Sequence, residues 1–321
     1  MTAAGRAVRV CGVGHVALDM VFELERIPQE PVKVPARALR RVVGGMTANA
    51  CVAAARLGAA VRFGSPVGDD DAVASFRAHF AREGVDAAGL QPVPGASSSV
   101  SAVLVDARGE RLIVSHHGDA LRRPPPLDPS WLEGADAVLA DPRCPAWAEA
   151  VLEVARSRGV VSVFDGDTAP RSALQRLVAR AGWAVFSQPG MAVFVGAGGG
   201  DAGAGFGGLP DEAVLDAGLD EALARGAEVA VVTLGERGLR WRRRGQPVRA
   251  LAALSAGTVV DTLGAGDTFH GALAVALAEG WGDEPALRFA AAAAAIKCTR
   301  HGGVSGAPGR AEVLALLSSS A

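Results

Sequence analysis

The stretch DTLGAGDTFHGALAVAL, residues 261–277, sets two aspartates around a turn of small residues and then runs straight into an apolar helical pattern. Gly264, Ala265 and Gly266 carry almost no side chain, so the backbone can turn there with several N–H groups pointing the same way. They open a helix, whose dipole adds positive potential at that end. The combination is an anion hole. Asp267 stands beside it, able to take a proton from an attacking hydroxyl. No lysine follows the glycines, so this is not a Walker A loop. A bare GAG means little in a chain with 41 glycines, where Asp267 could be only a helix cap. The full D-T-x-G-A-G-D, opening a strongly apolar helix, is far more specific.

Outward from this stretch, short β-branched runs alternate with helical patterns. The strands are read at 8–12, 61–67, 137–141, 160–165, 183–187 and 228–235, and the helices at 46–58, 71–83, 146–158, 171–181, 211–225, 268–280, 284–299 and 310–318. Such alternation implies right-handed crossovers and an α/β fold: a doubly wound, mostly parallel central sheet flanked by helices. Residues 16–26 and 32–42 instead alternate apolar and polar, and 99–106 with 111–117 reads as a hairpin around DARGE. These pieces predict a small β-sheet lid, from about 16–42 and 99–117, on one domain spanning 1–321. The glycine-rich 195–210 and the proline-rich LRRPPPLDP read as loops.

At 321 residues the chain can bury a large core, and a net charge of −2 gives no basic footprint for nucleic acid or an anionic membrane. Cys11, Cys51, Cys144 and Cys298 lack the paired spacing of a zinc site or redox dithiol. No leader pattern and no apolar run of spanning length is visible, so a cytoplasmic protein acting on a small molecule is expected. Lysine occurs only at Lys33 and Lys297, which makes both conspicuous.

DTLGAGDTFHGAL resembles the C-terminal signature of the PfkB, or ribokinase-like, family of sugar kinases, and VVGGMTANACVAAARLGA at 42–59 resembles its N-terminal one. VGDDD at 67–71 and VVTLGERG at 231–238 follow in the family's order, so the likeness covers nearly the whole chain. The resemblance implies Asp267 as catalytic base, with the amides of Gly264, Ala265 and Gly266 stabilising the migrating γ-phosphoryl group of ATP. It also implies that Asp19, Gly44, Gly45 and Asn49 face the sugar. The nucleotide would meet the loop Thr233 to Gly238, through Thr233, Gly235 and Gly238, and also Thr262, Gly264, Gly266 and Lys297, with 290–303 flanking adenine. Mg2+ is the weaker part: where the family carries N-x-x-E, this chain has Ser187 to Gly190, which leaves Asp165 and Asp167 as candidate helpers.

Several segments, among them AVLADPRC, VSVFDGDTAP and RFAAAAAAIKCTRHGG, are similar to the bacterial 6-deoxy-6-sulfofructose kinases. That likeness implies a sulfonate held by Lys33 and Arg143, with Ser115 where those kinases present asparagine. A ribokinase- or fructokinase-type kinase and a sugar-binding regulator on the same fold are the alternatives. VRVCGVGHVA imitates a dinucleotide fingerprint, but the strand-like VALDMVFELER follows where a helix is required. Lid strands in the family often pair between subunits, so a homodimer through the lid is expected.

Overall fold

The computed structural model describes residues 6–108, 110–122, 124–197 and 210–319. The chain begins with β1 (Arg9–Val13), then leaves the core for β2 (Ala17–Glu23) and β3 (Ala38–Gly44). It returns through α1 (Met46–Arg56), β4 (Ala60–Gly68), α2 (Ala72–Arg82) and β5 (Val85–Val93), and departs again for β6 (Ser99–Val105) and β7 (Arg111–His116). Strand–helix alternation follows: β8 (Ala137–Ala140), α3 (Pro145–Arg158), β9 (Val161–Gly166), α4 (Arg171–Val178), β10 (Trp183–Ser187), α5 (Gln188–Val195), α6 (Glu212–Arg225) and β11 (Val229–Thr233). The antiparallel pair β12 (Leu239–Arg243) and β13 (Arg249–Leu251) precedes α7 (Ala265–Ala278), α8 (Asp283–Cys298) and α9 (Arg310–Ser319).

Among the described residues, the large sheet has the order β13-β12-β11-β10-β9-β8-β1-β4-β5, and β3-β2-β6-β7 form the separate small sheet. From β11 to β5 every neighbouring pair is parallel. Successive side chains of these strands enter opposite cores: Val163, Val185 and Val231 join one apolar cluster, while Phe164, Phe186 and Val232 join the other. Burial on both faces explains why the strands read as continuous apolar runs. The order in which strands are added reverses between β1 and β8, and the crevice at the carboxyl ends of a sheet at such a switch point is where open α/β sheets bind ligands.

Four elements were not legible in the amino-acid pattern. β5, VDAAGLQPV, is an edge strand of weak β-formers. β12, LRWRR, buries Leu239 and Trp241 while Arg240 and Arg243 pair with Asp216 and Asp283. β13 is short, and α5 occupies a stretch expected only to end a strand. Boundaries also move. The second lid strand starts at Ala38 rather than 32, and the helix after the GAG turn starts at Ala265 rather than 268. Of the expected glycine-rich loop at 195–210, residues 198–209 lie outside the described residues. Among the described residues no helix is long and apolar enough to cross a membrane.

Candidate active site

Gly264 caps α7 in the left-handed conformation, φ 75°. A Cβ there would come within 3.0 Å of the Val304 amide nitrogen, so both the turn and the neighbouring chain require glycine. Ala265, Gly266 and Asp267 form the first helical turn, ahead of the residues whose N–H groups find carbonyls within the helix. One of the three expected donors is otherwise engaged: the Ala265 N–H donates to the Thr262 carbonyl at 3.2 Å. Thr268 closes the turn from below, its hydroxyl donating to the Gly264 carbonyl at 2.8 Å.

Asp267 accepts a hydrogen bond from Asn49 Nδ2 at 2.7 Å, joining the first turn of α7 to α1. Burial, reinforced by the nearby Asp165 carboxylate, raises the Asp267 pKa to about 7; the Asn49 donor acts in the opposite sense. Such a value suits a group that must accept a proton near neutral pH and then release it. Asp165, at the end of β9, is itself held well above the ordinary carboxylate range by burial and by Asp167. His270, one turn along α7, approaches Asp165 at 3.7 Å and the Gly266 carbonyl at 2.7 Å through Nδ1. Nε2 also lies 3.4 Å from the Val185 carbonyl, and burial lowers the His270 pKa. Asp167 accepts from the Ser187 hydroxyl at 2.9 Å and faces Arg143 at 3.9 Å. Ser187 also caps α5, so the Ser187 to Gly190 stretch is a helix start without a carboxylate.

At the switch point, Asp141 follows β8 and gathers four donors: His15 N at 2.7 Å, Thr47 N at 3.2 Å, Thr47 Oγ1 at 2.6 Å and Arg143 N at 2.9 Å. This carboxylate fastens the loop after β1, the start of α1 and the residue Arg143 to one point. Gly45, φ 112°, lies so close that a Cβ would stand 2.3 Å from the His15 carbonyl oxygen. Above it, the lid crosses with Asp19, Ser101 and Ser115 in register on adjacent strands, and Ser101 Oγ lies 3.2 Å from Ser115 Oγ. The Asp19 carboxylate lies against Gly44, and burial raises its pKa while Ser101 opposes the shift. Between lid and sheet is a cavity of about 440 Å³ lined by Ser115, His116, His117, Leu121, Pro142 and Arg143, among others. His15 packs edge-on against His117 with ring centroids 5.7 Å apart, and among the described residues its buried Nε2 has no hydrogen-bond partner.

Two expected positions are corrected. Lys33 lies in an exposed loop before β3, not on a lid strand, and it is not part of the cavity lining. Lys297 was expected at the nucleotide, yet its side chain is fully buried and its ammonium donates to the Asp261 carbonyl at 2.7 Å. Thr233 ends β11, Gly235 and Gly238 bound the short helical turn after it, and Thr262 is exposed on the loop before α7. Close to that loop, Val259, Val260 and Leu263 expose apolar surface.

Residues 8–310 match the family model described as pfkB family carbohydrate kinase. The chain belongs to this family of sugar kinases. It is 29% identical to a ribokinase of Bacillus subtilis over 313 residues, covering 96% of this chain and 99% of that protein. A provisionally assigned ribokinase from Agrobacterium tumefaciens superposes with a TM-score of 0.87 at 32% identity, covering 98% of this chain and 99% of that one. The fold also matches Arabidopsis thaliana ribokinase, determined with ribose and ATP, at a TM-score of 0.83 and 23% identity, over 97% and 99% of the two chains. As a sugar kinase the protein is a phosphotransferase with an alcohol acceptor.

Four residues of the candidate site were not singled out by the motifs. His270 was visible inside DTFHG but carried no expectation. Asp141 and Ser101 gain meaning only from partners on other elements, and His15 was hidden in a segment that imitates a dinucleotide fingerprint.

Proposed function

We propose that this kinase transfers the γ-phosphoryl group of ATP to a primary hydroxyl of a sugar bound beneath the lid, with Asp267 as the general base. The hydroxyl proton passes to the Asp267 carboxylate as the oxygen attacks phosphorus, and ADP leaves with the electrons of the broken P–O bond. The turn amides and the dipole of α7 stabilise the transferring group. Asn49 orients the base, and the row Asp19, Ser101 and Ser115 supplies polar atoms for sugar hydroxyls. Closure of the lid would exclude water from the transfer.

Magnesium fits this site. Asp165 and Asp167 stand near enough to raise the Asp267 pKa, and this crowding of carboxyl groups, each harder to ionise beside the others, is what a divalent cation relieves. Asp165 or Asp167 would help to hold the ion, with nucleotide phosphates and water supplying most of its oxygen ligands. Bound with the nucleotide, the ion neutralises phosphate charge.

For the substrate we infer 6-deoxy-6-sulfofructose, phosphorylated on its 1-hydroxyl. The observation that carries this reading is the cavity, which Arg143 and Ser115 line together with His116 and His117. A sulfonate is a permanent anion with three acceptor oxygens and needs such donors. A ribokinase- or fructokinase-type activity is the second reading. It is favoured by the ribokinases matched along almost the whole chain and by the Asn49 to Asp267 contact, which needs no anionic substrate. ADP release measured with sulfofructose, fructose 6-phosphate, fructose and ribose separates the two. Arg143→Ala should lower kcat/KM for the sulfonated sugar by roughly a hundredfold and leave the neutral sugars within about threefold. Equal losses on every sugar, or a wild-type preference for ribose, would refute the sulfonate assignment.

We also infer a homodimer through the lid. The edge strand β7 exposes Leu112, Ile113 and Val114, apolar surface that a second lid would cover. A monomer in sedimentation at micromolar concentration overturns this inference.

A further inference from the structure

Lys297 is one of two lysines in a chain of 32 basic residues, and its side chain is fully buried. A buried ammonium is costly unless its partners are well placed. Asp261, the first residue of the DTLGAGD stretch, supplies two: its backbone carbonyl accepts from Nζ at 2.7 Å, and its carboxylate Oδ2 lies 3.5 Å away. Asp261 is the tie between two loops. Oδ1 accepts the Leu263 amide at 2.9 Å, inside the loop that leads to the turn. Oδ2 accepts the Gly302 amide at 3.0 Å and the Gly303 amide at 3.3 Å, across from it. The second loop packs directly on the first, since a Cβ on Gly264 would meet Val304 N at 3.0 Å and the Gly303 carbonyl carbon at 3.2 Å.

The path from ammonium to anion hole is therefore short: hydrogen bonds lead from Lys297 to Asp261 and from Asp261 to Leu263 and Gly303, and Gly264 follows Leu263 in the chain and packs against Gly303. We propose that Lys297 is a tethered monovalent cation, a positioning residue whose charge holds the Asp261 loop and thereby sets the Gly264 to Asp267 turn for phosphoryl transfer. A carbonyl and a carboxylate are hard oxygen donors that free potassium or ammonium also accepts, so removal of the lysine side chain leaves a socket for such an ion. With the lysine present, the enzyme needs none. This inference rests on the kinase reading of the turn.

The test compares ADP release by the wild type, Lys297→Ala and Lys297→Met in potassium, ammonium, sodium and tetramethylammonium chlorides at one ionic strength, with circular dichroism confirming the fold. The wild type is expected to vary by no more than about twofold across the salts. Lys297→Ala in tetramethylammonium should lose kcat by roughly a hundredfold with the sugar KM little changed, and regain most of it on addition of ammonium or potassium. Lys297→Met, whose thioether fills the socket without charge, should show the same loss and no rescue. It also decides the matter if the alanine variant does not fold. A wild type that requires potassium, a folded variant with near wild-type kcat, or a folded Lys297→Ala that no small cation rescues overturns the proposal. A wild type without turnover on any sugar would instead refute the kinase reading, which keeps the two failures distinct.

Discussion

Replacing Asp267 by asparagine should separate chemistry from stability, in opposite directions. The native state raises the Asp267 pKa from 3.8 to about 7, chiefly by burial and then by the Asp165 charge. Between about pH 4 and pH 7 the folded protein keeps a proton that the unfolded chain has released, so stability falls as pH rises through that window and levels off above it. At about 1.36 kcal/mol per unit, the ionised carboxylate costs the fold up to about 4 kcal/mol at pH 8, but less than about 1 kcal/mol at pH 4. Water reaching the partly exposed group reduces the upper figure. Asparagine is neutral at every pH, has nearly the same volume, and its side-chain oxygen can still accept from Asn49. Asp267→Asn should therefore unfold at a higher temperature than the wild type at pH 8, by about 2 °C for each kcal/mol recovered, and converge with it near pH 4. Its kcat should fall by on the order of a thousandfold or more. Thermal midpoints across pH 4 to 8.5, paired with ADP release at pH 7.5, measure both effects. Near wild-type turnover would refute Asp267 as the base. A variant less stable than wild type at pH 8 would refute the account of its desolvation.

Further outcomes follow from neighbouring residues. In the wild type, the acid limb of the kcat/KM profile should titrate near the Asp267 value of about 7, because only the ionised carboxylate can take the hydroxyl proton. Asn49→Ala removes the donor that favours the ionised form, so that limb should move to higher pH; an unmoved limb would show that Asn49 does not tune the base. Gly264→Ala places a Cβ against the Val304 amide in a left-handed conformation and should destabilise the protein by about 1–3 kcal/mol while abolishing turnover, read by denaturant unfolding and ADP release. A fully active alanine variant would show that the turn is not the anion hole.

What was legible in the sequence is what is local. Glycines at 264 and 266 and an aspartate one helical turn in declare the anion turn within seven residues, and strands buried on both faces declare themselves by unbroken apolar runs. Two failures have a common cause: side-chain type was taken for environment. Alternation over 32–42 read as a strand, but Val32 and Val34 are exposed in a loop, so the pattern recorded no buried face and Lys33 was carried to the wrong place. Arginine-rich β12 was passed over because its charges are neutralised by acidic residues on other elements. Contacts that close the site span still larger separations: 36 residues from Lys297 to Asp261, 126 from His15 to Asp141 and 218 from Asn49 to Asp267. The proposed transfer site thus lies in one contiguous turn, whereas the proposed substrate cavity between lid and sheet exists only after folding. Changes at Ser115, His117 or Arg143 should therefore alter which sugar is phosphorylated while leaving the phosphoryl-transfer turn intact, because these residues line the cavity and none of them belongs to the turn.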